Sequence, residues 1–493
     1  MHPRCSREEP VDPRCREDHT TGEMSATRAR AGTAEEIGRA ALERRPVAVL
    51  AVALAFAIVV ALSWGWQAQA FLQARHYQHS VAGLYSPVKF LTLPLQQAAL
   101  ADPHILPIYG SSELYCCGDP YRPTQLFASQ PTGFDVLALG RYGIGNLLFA
   151  QTFAALGRAL EGKKVVVLES APWFFKTEDV DPDAYGLNFS PEIAKTFIFE
   201  STISLPLRAA IARRMLDFPE TLAGDAILAA AVRALADPTP LHLAAYRTLR
   251  PFGRLDAWIE RVRGARRVSR LLGRVSPGQQ ALRRSELDWP ELVARATKIA
   301  DHRDSTNPFG FPNGAYARLV SRGIVTDAIA LYRSGSTNRD GQRYPPPTAW
   351  RHNVSHSAQW ADLALAVAVL KELGAQPFVW TTPLPGVYDD YTPISAAARR
   401  AYYDRWEREM RKLGVPWLDF RSSDEDVFFM TDTAAHFSPR GWVFADRALD
   451  MFWHGKSDGE IRAALDTLAQ QVPPPPTATT WERHSRSREP AAR

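Results

Sequence analysis

Five apolar runs of strand length, each followed by a stretch with helical character, constrain this chain more than any other feature. They are Ile105–Tyr109, Val136–Leu139, Val165–Leu168, Pro377–Thr381 and Val415–Phe420. Alternation of this kind predicts an α/β fold, with a mostly parallel sheet covered by helices on both faces. The clearest of the intervening helices is Ala361–Leu373. It carries Leu363, Val367 and Leu370 on one stripe and has Gly374 as its stop. Residues 190–300 interrupt the alternation with an Ala-, Leu- and Arg-rich segment of helical periodicity (Ile193, Phe197; Leu228, Val232, Leu235). We expect a helical insertion there, covering one end of the sheet and not folding as a separate domain.

Ahead of the first run lies Val47 to Trp66, 20 residues without a charge, which is enough to cross a bilayer as a helix. Arg39, Arg44 and Arg45 precede it, and Trp64 and Trp66 mark its far end as an interfacial aromatic belt would. Ala68-Gln69-Ala70 follows, but the run is longer than a signal peptide's apolar core, so residues 46–66 read as an uncleaved single-pass anchor and not as a signal peptide. Its charge bias leaves the N-terminus in the cytoplasm and the rest of the chain outside it. The remaining segments are a disordered polar leader (1–45), a helix and connector (67–100), a globular body (101–470) and a disordered tail (471–493) that opens with Val472 and four prolines.

At 493 residues the chain can bury a large core, and its net charge of +5 comes from scattered Lys and Arg. That pattern is a solvated surface and gives no nucleic-acid signal. Four cysteines are too few for a disulfide framework. Cys5 and Cys15 lie in the leader, and a bridge between the neighbours Cys116 and Cys117 would be strained. The latter pair reads as small buried thiols.

The chemistry sits at the two ends of the body. Gly110-Ser111-Ser112-Glu113-Leu114 closes the first run, which puts Ser112 on a tight turn after a buried strand. Asp432 and His436 stand close together near the C-terminus, ahead of Gly441-Trp442. A serine hydroxyl becomes a nucleophile when a base takes its proton and an acid orients that base. Ser112, His436 and Asp432 supply those three types. Gly140-Arg141-Tyr142-Gly143-Ile144-Gly145-Asn146 follows the second run and opens a helix, so its amides are candidates for an oxyanion hole. In an open parallel sheet the loops after the strands gather on one edge, where these pieces can meet.

The same glycines, with Glu169 ending the next run, mimic a dinucleotide fingerprint, but their order is not G-x-G-x-x-G. His352 and His356 stand four apart with no third ligand near in sequence, so no metal site is assigned to them.

These blocks, in this order, resemble the DltD family, the D-alanine transfer proteins of cell-envelope teichoic acid modification, from the anchor to about residue 455. Gly110 to Leu114 is similar to the family's nucleophile turn and Leu139-Gly140-Arg141 to its second block. Leu168-Glu169-Ser170-Ala171-Pro172-Trp173-Phe174 resembles the stretch after the third strand. Asn188-Phe189-Ser190, Asn307-Pro308-Phe309-Gly310 and Pro383-Leu384-Pro385 with Tyr388, Tyr391 and Thr392 resemble further segments. Asp432, His436 and Gly441-Trp442 resemble the closing block, with three residues between Asp432 and His436 where the family pattern has two.

The resemblance implies an SGNH-hydrolase-like three-layer fold and a serine acyltransferase without a cofactor, working outside the cytoplasm at the inner membrane. Ser112 would carry a D-alanyl group, His436 would shuttle the proton, and Asp432 would orient His436. Gly140 would serve the oxyanion, and Arg141, Ser111 and Trp173 would line the substrate site. Implied partners are a membrane-bound O-acyltransferase (DltB-like), an acyl or D-alanyl carrier system, and an envelope glycan or lipid acceptor. Two other readings share the motifs. One is an SGNH-type O-acetyltransferase or esterase on an exopolysaccharide, and the other is a non-catalytic scaffold for the membrane acyltransferase.

Overall fold

The computed structural model describes residues 23–115, 119–176, 180–276, 284–306, 347–384, 386, 396–426, 428–431 and 436–473. The described residues divide into two units, one up to Gly65 and one from Trp66 onward.

One helix runs from Glu23 to Ala82. Along its apolar stretch Val49, Leu50, Val52, Leu54, Phe56, Ile58, Val59 and Leu62 are all at least half exposed. A helix that is apolar and bare on every side is suited to lipid, not to water. It is long and apolar enough to cross a membrane. The helix begins inside the stretch expected to be a disordered leader. Residues 23–45 are helical, in keeping with their many Ala, Glu and Arg residues, which are good helix formers.

The expected runs form five parallel strands: β1 Ile105–Gly110, β2 Asp135–Gly140, β3 Lys164–Glu169, β4 Gln376–Thr381 and β5 Trp417–Asp419. Their order is β2-β1-β3-β4-β5. Alternate residues of each strand point to opposite faces, and the buried side chains divide accordingly. Ile105, Tyr109, Leu137, Leu139, Val165, Val167 and Val379 join one hydrophobic cluster. Leu106, Ile108, Val136, Ala138, Val166, Leu168, Phe378, Trp380 and Leu418 join the other. The first cluster is roofed by the Asn146–Leu156, Gln359–Glu372 and Ala396–Leu413 helices. The second is roofed by the Pro123–Ser129, Trp289–Thr306, Pro439–Trp453 and Asp458–Gln471 helices. The result is a three-layer α/β/α body. The predicted Gly374 stop is present at φ +73, in the left-handed region that glycine enters without a Cβ penalty.

The insertion is organised differently from the expectation. The helices between Pro191 and Leu272 pack against the Asn146–Leu156 and Gln359–Glu372 helices. Ile198, Ile211 and Val232 extend the first cluster outward, as a second helical layer beyond the one that touches the strands. Trp289–Thr306 belongs to the opposite face, where Leu292, Val293 and Ala296 pack in the second cluster. The apolar periodicity of these helices reveals a buried stripe but not which face of the sheet it serves.

Two glycines let the long Pro240–Leu272 helix approach Pro191–Glu200. A Cβ at Gly253 would lie 2.2 Å from the Phe199 ring, and one at Gly264 would lie 1.9 Å from Glu192 Oε2. Phe199 is fully buried, so its ring can yield only by moving the layer. Gly253→Ala should therefore destabilise the body by about 1–3 kcal/mol, read as a lower midpoint in thermal unfolding, and Phe199→Leu in the same chain should recover part of the loss. An unchanged midpoint in Gly253→Ala would contradict this packing.

Candidate active site

In this strand order β1 is the place where the chain turns from building one side of the sheet (β2) to building the other (β3). At such a reversal the loops leaving neighbouring strand ends diverge and open a crevice beyond the carboxyl edge. The register brings those ends level. Gly110 lies opposite Gly140, Glu169 opposite Thr381, and Thr381 opposite Asp419.

Ser112 occupies that edge. The chain leaves β1 at Gly110, and Ser112–Leu114 makes one 3-10 turn, closed by the Tyr115 N–H donating to the Ser112 carbonyl at 3.0 Å. The Tyr115 hydroxyl donates to the Ala138 carbonyl of β2, which fastens the far side of the turn. Ser112 Oγ lies 2.9 Å from His436 Nε2, although the two residues are 324 apart in sequence. Both are half-buried, so the pair is neither sealed in the core nor free in solvent.

A compact arrangement holds His436. Met430 bridges Phe437 antiparallel, and the Thr431 N–H donates to the His436 carbonyl at 2.8 Å. Ser438 then caps the Pro439–Trp453 helix, accepting from the Gly441 N–H at 3.1 Å and donating to the Phe428 carbonyl. Gly441 must be glycine, because a Cβ there would lie 2.2 Å from the Phe429 carbonyl oxygen. Trp442 beside it is buried against Phe437. The Gly-Trp pair in the closing block thus fixes the helix start on which the His436 segment rests.

Gly140 has a comparable duty. A Cβ there would stand 2.5 Å from the Gly110 carbonyl oxygen and 2.7 Å from that of Ser111, so β2 can end against the Ser112 turn only with glycine. Ser111 Oγ donates to the Arg141 carbonyl at 3.3 Å, and Arg141 Nη1 donates to the Leu187 carbonyl at 2.8 Å. Ser111, Gly140 and Arg141 therefore lie together at the turn that bears Ser112. Trp173 is half-buried against the first cluster and is linked to this edge through its N–H, which donates to the Ser170 carbonyl. Asp432 lies outside the described residues, as do Cys116 and Cys117, Asn307–Gly310, Tyr388, Tyr391 and Thr392. His352 and His356 stack their rings 4.0 Å apart at the end of the Pro347–His356 helix. Among the described residues no group of three His, Cys, Asp or Glu is placed to hold a metal.

Sequence reasoning missed the polar layer beneath the serine. The Glu113 carboxylate accepts from the Ser111 N–H and, at 2.7 Å, from the Ser170 hydroxyl. Burial raises its pKa, while those donors and the charge of His436 pull it back. Glu169, at the end of β3, accepts from Asn146 Nδ2 at 2.9 Å, and the same amide reaches Gln359 Oε1 at 3.2 Å. Burial pushes Glu169 up to about 8, and the neighbouring Glu113 charge adds to the rise. The residue that mimicked a ribose ligand is instead an enclosed partner of Asn146. Acidic residues at the ends of two buried strands were the available signal.

The fold and this edge define a serine–histidine pair on a doubly wound parallel sheet. Residues 84–454 match the family model described as DltD protein, and the chain belongs to the DltD family. Protein DltD of Bacillus subtilis (strain 168) is 27% identical over 409 residues, covering 83% of this chain and 96% of that protein. Protein DltD of Staphylococcus aureus (strain NCTC 8325 / PS 47) is 23% identical over 363 residues, covering 72% of this chain and 82% of its own length.

The raised Glu169 makes a pH prediction. Its ordinary value is 4.5, so at intermediate pH the folded chain keeps a proton that the unfolded chain has lost. Stability from that proton is complete at low pH and is lost as pH rises through about 8. Glu169→Gln keeps an acceptor for Asn146 and removes the titration. Unfolding midpoints measured from about pH 5 to 8 should fall less steeply in Glu169→Gln than in the parent, by up to about 1.4 kcal/mol per pH unit. Parallel profiles would contradict the assignment.

Proposed function

We propose that this chain is a membrane-anchored serine acyltransferase that delivers a D-alanyl group to a hydroxyl of an envelope polymer or lipid through an acyl-Ser112 intermediate. The observation that carries the reading is the 2.9 Å hydrogen bond between Ser112 Oγ and His436 Nε2 at the carboxyl edge of the sheet. Family membership supplies the acyl group, since the DltD resemblance implies D-alanine transfer.

The chemistry follows from that pair. As Ser112 Oγ attacks the carbonyl of an activated D-alanyl ester or thioester, His436 Nε2 takes the hydroxyl proton and returns it to the departing donor group. The oxyanion that forms between these steps needs N–H donors already in place. The Ser112 and Gly140 amides are the proposed donors, because Gly140 abuts the Gly110 and Ser111 carbonyls at the base of the turn that bears Ser112. An acceptor hydroxyl then attacks the Ser112 ester, its proton passes through His436, and free Ser112 is regenerated. Asp432 is the proposed orienter of His436, and Ser111, Arg141 and Trp173 are the proposed substrate contacts.

The apolar helix anchors the chain in the inner membrane, with the N-terminus in the cytoplasm and residues 101–470 as the catalytic domain on the outer side. The donor is supplied there with a membrane-bound O-acyltransferase and an acyl carrier system as partners. No cofactor enters this scheme.

The test is the ester-linked acyl content of the envelope in cells carrying the parent, Ser112→Ala or His436→Ala protein at equal levels. General acid–base and nucleophilic groups contribute factors of about 10² or more, so released D-alanine should fall in both variants to the level of cells lacking the chain. Retention of D-alanine esters in either variant would overturn the catalytic reading, and acetate in place of D-alanine would change the donor group.

A further inference from the structure

The Pro240–Leu272 helix carries eight arginines and two acids, Asp256 and Glu260. Both acids lie beside the buried Lys195, at 2.7 and 3.8 Å, and Glu260 also accepts from Arg263 at 2.6 Å, which leaves the helix's positive charge in excess on its outer side. The outer face is different. Phe252 and Leu255 are 62% and 50% exposed, and Arg263, Arg266 and Arg270 are exposed as well. At 3.6 residues per turn these five positions fall within about 80° of arc. Large apolar and basic side chains on one bare face make a poor water-facing surface. They are the composition of a helix that lies in a membrane interface.

The helix also runs beside Trp66 and the residues that follow it. Arg266 stacks its guanidinium 4.3 Å over the Trp66 ring. One turn further along, Ser269 donates to Gln73 Oε1 at 3.2 Å, and Val268 and Leu272 pack with Ala74 and Val81. From Ser269 back to Arg266, the contacts therefore move from Gln73 to Trp66. Trp66 is the last residue of the uncharged run, the rim of whatever bilayer holds it. Arg266 thus lies beside the residue at which that run ends.

We propose that this face rests on an anionic lipid surface, with Phe252 and Leu255 in the headgroup–acyl boundary and Arg263, Arg266 and Arg270 against lipid phosphates. Basic side chains near an anionic leaflet are drawn to it within a Debye length. The contact fixes the height of the Ser112 edge above the bilayer, which a single helix tether would leave free. The inference rests on reading the apolar helix as an anchor and is independent of the acyl chemistry.

The full chain in nanodiscs tests it by hydroxyl-radical footprinting of native side chains. In discs containing phosphatidylglycerol, oxidation of Phe252 and Leu255 should be several-fold slower than in pure phosphatidylcholine discs, while Tyr142 and Leu187, exposed elsewhere, stay unchanged. The combined variant R263E/R266E/R270E should abolish the difference, and so should raised salt. Equal oxidation of Phe252 and Leu255 in the two discs overturns the proposal. Protection confined to native membranes containing other proteins also overturns it, in favour of a protein on this face. A chain that does not copurify with either disc refutes the anchor reading instead.

Discussion

Where β1 and β2 end, Gly110 and Gly140 face each other across the sheet, and the carbonyls of Gly110 and Ser111 fill the space a side chain at Gly140 would need. This contact is backbone against α-carbon and leaves no slack. It presses the turn that bears Ser112 onto the end of β2, and the Tyr115 hydroxyl pins the other side of that turn to the Ala138 carbonyl. The nucleophile proposed for Ser112 would need a fixed position more than many contacts, because small misplacements cost reaction rate steeply. Here the rigidity comes from the strands, and the five parallel strands are rigid because two apolar layers enclose them.

Beneath the turn lies a second constraint. Glu113, Ser170, Glu169, Asn146 and Gln359 tie the ends of β1 and β3 to the starts of two helices in a region closed to water. A buried carboxylate is costly unless donors meet it, and Glu113 is met by a main-chain N–H and a hydroxyl. Glu169 is met by an amide and is relieved further by holding its proton, which lowers the repulsion between the two acids. Such a network favours one arrangement of the strand ends over others. The buried Lys89 does similar work further off. It donates to the carbonyls of Ala82 and Leu84 at 2.6 and 3.1 Å, where the first helix ends. Burial lowers its pKa to about 7.

The sheet was legible because buried parallel strands are short apolar runs bounded by polar turns, and the five runs match β1 to β5 within a few residues. Ser112 stood out because it follows such a run, and His436, far off in sequence and ahead of a helix start, is brought within 2.9 Å of it. The polar layer was not, because Glu113 and Glu169 look like ordinary charged residues until the strand register brings their carboxyls under one turn. The fate of residues 190–300 was hidden for a similar reason. An amphipathic stripe reports that a helix is buried, while which face buries it is decided by glycines such as Gly253 and Gly264 and by partners far away in sequence. The helix from Glu23 shows the limit of composition, since a polar, aperiodic segment rich in helix-forming residues can simply extend an apolar one.

The central claim is that His436 activates Ser112. Its most direct measurement is the rate and position of covalent labelling of the full chain by a fluorophosphonate, followed by intact-mass and peptide mass spectrometry. The account predicts one adduct per chain, located on Ser112, with a labelling rate reduced by about 10²–10⁴ in His436→Ala. An adduct elsewhere, no adduct, or an unchanged rate in His436→Ala would contradict it.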